Sequence, residues 1–268
     1  MLLDIAGLAR STYYYQAARL DPVDPHQALQ AAITEIFTKN QARYGHRRIH
    51  IELRKQGWQV AKKTVLKLMR ALQLKCKTRS RKRYSSYQGD VGKSAPNLLK
   101  RDVTAAAPNE KWVTDVTEFK VGAEKLYLSP ILDLFDRMIV SFTTSRHPTV
   151  DFAVTALQAA IQQLPTGSSL IVHSDQGFQY QHRAWRDSLA RVDAPQSMSR
   201  KGNCLDNAVM ENFFGHLKAE MFHHDQFDSI EELEREIHTY IAWYNEERVS
   251  LTLEGMSPME YRAHALAA

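Results

Sequence analysis

Three acidic residues stand where solvation of a surface does not explain them. Asp115 falls in "VTDVT", read as mid-strand in a half-buried run, where a carboxylate is out of place unless something pairs with it. Asp175 follows the apolar run "LIVH", at the carboxyl end of an expected strand, where open α/β sheets place their ligands. Glu211 belongs to a helix predicted from about Asp206 to Met221. Met210, Phe214, Leu217 and Met221 form its buried stripe, and Asn207, Glu211 and Lys218 fall along one edge of that stripe. Three carboxylates converging from three elements repel one another unless cations lie between them. Hard oxygen donors suit Mg²⁺ or Mn²⁺, and a pair of such ions can activate an attacking oxygen and stabilise a leaving one. The chemistry implied is phosphodiester cleavage or transfer. Taken singly, each residue has an ordinary explanation among 30 Asp and Glu; the trio is what calls for metal.

Around the trio, candidate DNA contacts are Gln176, Asn207 and Lys218, together with Arg200 and Lys201 in the Gly-containing loop before the Glu211 helix. A lysine on a helix edge is as often a snorkelling surface residue, and Asn207 could be only a first-turn residue. Gly177 would let a backbone approach DNA closely.

The elements that must hold these residues change character along the chain. A helix is expected from about Gln27 to Lys39, with Leu29, Ile33, Ile36 and Phe37 at helical spacing. Two shorter helices follow, one carrying Ile49 and Leu53 and ending at Gly57, the next carrying Val65, Leu68, Met69 and Leu72. Such a pair across a tight turn is a helix-turn-helix candidate, its second helix offering Lys62, Lys63, Lys67 and Arg70 to DNA; spacing alone does not separate it from an ordinary basic hairpin. Residues 1–74 are therefore assigned to a helical accessory domain and 75–108 to a basic linker, with Lys75, Lys77, Arg79, Arg81, Lys82 and Arg83 set along the phosphates. Residues 109–268 form the catalytic part. There, "KWVTDVTEF", "KLYLSPILDLF" and "MIVSFTT" predict a three-stranded antiparallel meander. Helices near 150–164 and 182–189, the strand "SLIVHSD" and a last helix opened by the capping box Ser229–Glu232 complete a mixed α/β pattern.

Charge divides at the same place. Residues 1–108 carry 21 Lys and Arg against seven Asp and Glu, while residues 109–268 carry 14 against 23. From Leu53 to Gly89 there are twelve basic residues and no acidic one, a field suited to a polyanion. No apolar run is long enough to span a membrane and no signal peptide is visible, so the expected location is the cytoplasm, on the nucleoid. Two well-separated cysteines, Cys76 and Cys204, fit a reducing compartment. "GDVGKS" lacks the glycine six residues before Lys93 that a phosphate-binding loop needs, which excludes nucleotide hydrolysis.

"WVTDVT", "LYLSPILDLF", "HSDQGFQY", "SMSRKGNCLDNAVMENFFGHLKAE" and "YIAWYNEERVS" with "LEGMSPMEY" closely resemble the integrase-like core of the insertion-sequence transposases of family three. "STYYYQ" and "YGHRRIHIELRKQG" resemble the helical domain ahead of that core. Thirty-five residues lie between Asp175 and Glu211, as in the D,D(35)E pattern of that family and of retroviral integrases. The resemblance implies a ribonuclease H-like α/β core behind a small basic all-α domain, with Asp115, Asp175 and Glu211 as the metal-binding catalytic triad for two Mg²⁺ or Mn²⁺ ions. It implies DNA cleavage by water followed by attack of the freed 3′ hydroxyl on another phosphodiester. Its implied partners are transposon-end and target DNA, further copies of this chain on that DNA, and an upstream-frame helix-turn-helix product. In "RVDAPQSMS", Asp193, Ala194 and Pro195 depart from the family pattern, which bears on the local strand and not on the triad. A retroviral-type integrase would need a zinc module. His46 and His50 have the spacing, but Cys76 has no second cysteine near it. A same-fold structure-specific nuclease and an inactive DNA-binding relic are the alternatives.

The charge division yields a first prediction. A fragment of residues 1–108 should hold most of the non-specific DNA affinity and lose it steeply as salt rises, through counterion release. Titrations of both fragments at several salt concentrations check this; tighter binding by the acidic fragment would contradict it.

Overall fold

The computed structural model describes residues 7, 9–20, 24–77, 95–199 and 207–267. Arg79, Arg81, Lys82, Arg83, Arg200, Lys201, Cys204 and Asp206, the expected start of the Glu211 helix, lie outside these. The chain divides into two compact units, Met1–Cys76 and Lys77–Ala268.

In the smaller unit, α1 (Arg10–Leu20) is followed by α2 (Gln27–Lys39), α3 (His46–Lys55) and α4 (Lys62–Ala71). Leu29, Ile33 and Ile36 of α2, Ile49 and Leu53 of α3 and Val65, Leu68 and Met69 of α4 are buried together. Gly57 ends α3 at φ +89°, a left-handed conformation glycine enters without Cβ strain. Its N–H reaches the Arg54 carbonyl while the Trp58 N–H reaches that of Leu53, so two otherwise orphaned carbonyls are satisfied. His50 Nε2 bonds the Val60 carbonyl oxygen at 2.9 Å and ties α3 to the connection. With its apolar stripe turned inward, α4 exposes Lys62, Lys63, Lys67 and Arg70.

In the larger unit, six strands among the described residues form one mixed sheet. They are β1 (Lys111–Thr114), β2 (Thr117–Val121), β3 (Glu124–Asp133), β4 (Ile139–Ser145), β5 (Ile171–Ser174) and β6 (Gln196–Met198). The first expected strand is in fact two. Both pair antiparallel with β3, and the partners on either side of the break, Thr114 with Ile131 and Thr117 with Leu128, keep step. Asp115 therefore falls opposite Pro130, which has no N–H to give a ladder. The expectation that Asp115 lies mid-strand is corrected accordingly: it sits in the interruption, just past β1. Beyond the meander, β1 pairs parallel with β5, and β5 with the short edge strand β6, which Pro195 directly precedes.

Helices cover both faces. On one, α5 (Val150–Ile161), the single turn α6 (Phe178–Gln181) and α7 (Arg183–Ala190) pack Leu157, Tyr180, Trp185 and Leu189 against Trp112, Ile131 and Val172. On the other, α8 (Ala208–Leu217) and α9 (Ile230–Glu246) pack Met210, Phe214, Leu217, Leu233, Ile237 and Ile241 against Val113, Leu128 and Leu132. Residues alternate between these two clusters along β1 and β3, as the two-residue period of a strand requires. The helix expected to run to Met221 stops being α-helical at Leu217 and continues as a π-turn, Lys218–Phe222. Ser229 caps α9 by accepting from the Glu232 N–H, as its capping box predicts. Residues 95–108, read from sequence as the end of the linker, pack on the sheet. Leu99 is buried in the α8–α9 core, the Leu98 N–H donates to Ser197 Oγ and the Met198 N–H to the Pro96 carbonyl, which covers the β6 edge.

Two ion clusters fasten the carboxyl-terminal part. Arg248 donates to both oxygens of Glu220 in the π-turn, at 2.8 and 2.7 Å, and Tyr240 adds a third bond at 2.9 Å, all buried. Arg262 on α10 (Pro258–Ala267) bridges Asp133 and Asp136, both fully buried. Removing one member of a buried pair strands the other's charge, at a cost of about 3–5 kcal/mol. Glu220→Ala should lower the denaturation midpoint on that scale, and the double variant Glu220→Leu with Arg248→Met should recover much of it. A Glu220→Ala midpoint equal to the parent's would show that the pair is not a fastener.

Candidate active site

Strand register brings the first two carboxylates together. In the parallel pair, Trp112 faces Val172 and Val113 faces His173. Continued two residues, the same step sets Asp115 beside Asp175, at the carboxyl ends of adjacent strands about 4.8 Å apart. Both lie in phase with Val113, whose side chain enters the core under α8, so both carboxylates rise toward that helix.

Each is held by a nearby N–H. Asp115 Oδ1 accepts from the Val116 N–H at 2.8 Å, and Oδ2 from Asn207 Nδ2 at 2.9 Å. Asp175 Oδ1 accepts from the Gly177 N–H at 2.8 Å. Glu211 stands in the first turn of α8, which begins directly after Asn207. Burial, then the Asp175 charge and the Glu211 charge, push the Asp115 carboxyl up to about 7, against the lowering pull of its two N–H partners. Burial likewise raises Asp175, offset by Gly177. All three acids thus share one electrostatic neighbourhood, with Glu211 felt at Asp115. Among the described residues, no three His, Cys, Asp or Glu side chains are gathered closely enough to grip an ion by themselves.

The donor set still fits a hard divalent cation. It consists of carboxylate oxygens, with the Asp175 and Glu211 charges raising the proton affinity of Asp115, and beside them Asn207 Oδ1, a buried acceptor without a hydrogen-bond partner among the described residues. Glycine at 177 has a local reason the sequence reading missed. A Cβ there would come within 2.9 Å of Asp175 Oδ1 and 2.7 Å of Gln179 Oε1, so the close approach it permits is to Asp175 itself.

The remaining candidate contacts divide. Lys62, Lys63, Lys67, Arg70 and Lys75 are exposed on the smaller unit. Lys77 is bonded to Asp225 at 2.9 Å. Lys218, at the head of the π-turn, lies 5.2 Å from the centre of the Phe119 ring. Gln176 donates its amide to the Ser199 carbonyl at 3.0 Å, fastening the Asp175 turn to the end of β6.

Comparison with known proteins decides the family. The integrase core domain model matches residues 105–204, a second integrase core domain model matches 211–266, and an HTH-like domain model matches 25–83. The chain is 46% identical to the putative transposase InsK for insertion sequence element IS150 of Escherichia coli K12, over 97% of this chain and 92% of that protein. The chain belongs to the insertion-sequence transposases of family three. Transposase InsF for insertion sequence IS3A of Escherichia coli K12 is 33% identical over 98% of this chain and 93% of its own. The probable transposase for insertion sequence element IS1353 of Shigella flexneri is 41% identical, but the chain spans 51% of its length. Among solved structures, the simian T-cell lymphotropic virus intasome in complex with PP2A regulatory subunit B56 gamma matches with a TM-score of 0.50 and 16% identity, over 86% of this chain and 74% of that one. That likeness speaks for the fold. This transposase is therefore a DDE-type enzyme with a ribonuclease H-like core behind a helix-turn-helix-like domain, and DNA is its partner. Among the described residues, no helix is long and apolar enough to cross a membrane.

The raised carboxyl makes a prediction for the transposase in chelator. A folded-state pKa raised above the unfolded value favours folding while the group is protonated, and that contribution is lost as pH rises from the ordinary aspartate range through about 7. The melting temperature should fall between these limits more in the parent than in Asp115→Asn. Parallel melting-pH curves for the two proteins would refute it.

Proposed function

We propose that Asp115, Asp175 and Glu211 are the catalytic triad of this transposase and that they hold two divalent ions, Mg²⁺ or Mn²⁺. The observation that carries the reading is the register that sets Asp115 beside Asp175 within the field of Glu211. Bound there, the ions would supply Lewis-acid stabilisation of the attacking and leaving oxygens of a phosphodiester. The protein's part is to present the carboxylates on one rigid sheet face, with the Val116, Gly177 and Asn207 N–H groups fixing their rotamers. Because no three side chains converge fully among the described residues, the substrate phosphates would complete the coordination shell, as Mg²⁺ sites commonly require.

In this reading water first cleaves the strand at a transposon end. The freed 3′ hydroxyl then attacks a second phosphodiester in target DNA, the same triad serving both steps. Exposed Lys62, Lys63, Lys67, Arg70 and Lys75 would hold phosphates with the small unit, and Gln176, next to Asp175, Asn207, bonded to Asp115, and Lys218 would hold them with the larger one. Arg79, Arg81, Lys82, Arg83, Arg200 and Lys201 belong to the same proposal. Several copies of the chain would assemble on the DNA, with an upstream-frame product as a further partner and the nucleoid as the place of work.

Asp115→Asn, Asp175→Asn and Glu211→Gln should each abolish metal-dependent cleavage and joining while leaving DNA binding within about twofold, since the binding charge is carried elsewhere. Strand-transfer and binding assays on all three variants decide it. Undiminished joining by any variant would remove that residue from the triad, and cleavage of branched DNA without joining would favour a structure-specific nuclease.

A further inference from the structure

Asn207 holds the position from which a helix is usually capped, yet its side chain makes no capping bond. Its Nδ2 instead donates to Asp115 Oδ2 at 2.9 Å, across 92 residues of sequence, while its Oδ1 is buried and has no hydrogen-bond partner among the described residues. The second fact is costly for a residue with only a structural task. At φ −105° and ψ 11° Asn207 lacks the extended backbone of a capping residue, so its side chain is free of that task. An unpaired buried acceptor costs about 1–3 kcal/mol. The Asn207 amide thus leaves an acceptor unmet while touching one carboxylate of the proposed triad at the foot of the helix that carries another.

We infer that Asn207 is a positioning residue of the metal site, pinning the strand-borne Asp115 to the Glu211 helix by its N–H and offering Oδ1 to a water in the ion's hydration shell. This rests on the triad reading above. The pin fixes which lone pairs of Asp115 remain for a cation, because Val116 occupies Oδ1 and Asn207 occupies Oδ2, each from one side. It also sets the separation of Asp115 from Glu211, four residues along the same helix, which no backbone ladder controls. The Oδ1 acceptor answers the habit of Mg²⁺ and Mn²⁺ of keeping bound waters, which need hydrogen-bond acceptors around them. Partners that orient a ligand in this way are typically worth about 10- to 100-fold in metal affinity.

The experiment is Mn²⁺ binding to the full chain without DNA, followed by the electron paramagnetic resonance signal of free Mn²⁺, with melting in chelator alongside. Parent, Asp115→Asn, Asn207→Ala and Asn207→Ser are compared. Serine is the decisive variant, because it is a good helix cap but too short to reach Asp115. The expected result is Mn²⁺ affinity reduced about 10- to 100-fold in both Asn207 variants, with Asn207→Ser melting in chelator at or above the parent. Mn²⁺ affinity of Asn207→Ser within about twofold of the parent would overturn the inference and leave Asn207 a helix-start residue. A chelator melting temperature for Asn207→Ser far below the parent's would overturn it too, by making the residue structural. Parent binding that is unchanged by Asp115→Asn, or that stays absent when transposon-end DNA is added, would overturn the triad reading itself.

Discussion

Everything at the site depends on the parallel pairing of β1 with β5. Parallel strands in register place like positions side by side, and here the positions that emerge at the carboxyl ends are Asp115 and Asp175. Two carboxylates a strand spacing apart and half-buried repel, and burial compounds the effect, which raises the proton affinity of both. The pairing persists because what lies beneath it is apolar and dense. Trp112 and Val172 are buried on one face, Val113 on the other, and the hydrophobic gain of those layers exceeds the local repulsion.

The surrounding structure limits how far the acids can relax. Backbone N–H groups of Val116 and Gly177 hold one oxygen of each aspartate. Gln176 links the Asp175 turn to Ser199, whose hydroxyl lies 3.2 Å from Nε2 of the fully buried His173 two residues before Asp175. Farther out, Glu220–Arg248 ties the π-turn after α8 to the end of α9, and the Asp133–Asp136–Arg262 cluster ties α10 to the end of β3, so that α8 is braced from behind by α9. A site that needs three elements at fixed separations is served by a stiff scaffold, and buried, fully bonded ion pairs supply geometric definition even where their net stabilisation is small.

The division of labour by charge follows the division into units. The smaller unit turns its apolar stripes inward and leaves α4's basic side chains exposed, an electrostatic surface for phosphates. Within the larger unit several basic groups are engaged: Lys77 with Asp225, Lys111 with Asp102, Lys125 with Glu118 and Lys218 over Phe119. An acidic catalytic unit left to itself would repel DNA, which is the physical reason for it to travel with a basic one.

Sequence by itself determined a great deal here. Helical periodicity placed α2 to within a residue and chose the buried face of α8, because burial patterns are local in sequence and amphipathic segments have one way to hide them. The three carboxylates were legible as a set through their contexts, their spacing and the family resemblance. What sequence did not carry were facts that depend on which strand lies beside which. The break at Asp115 lies opposite Pro130 on β3, and the adjacency of Asp115 to Asp175 comes from a parallel register between segments sixty residues apart. The need for glycine at 177 comes from the Asp175 carboxylate folding back on its own turn. The change to a π-turn at Lys218 follows no local signal in the sequence, and its Glu220 meets Arg248 only once α9 has folded back over the sheet. Non-local pairing sets these features, and a one-dimensional pattern of apolar and polar residues specifies which face is buried without specifying the neighbour it is buried against.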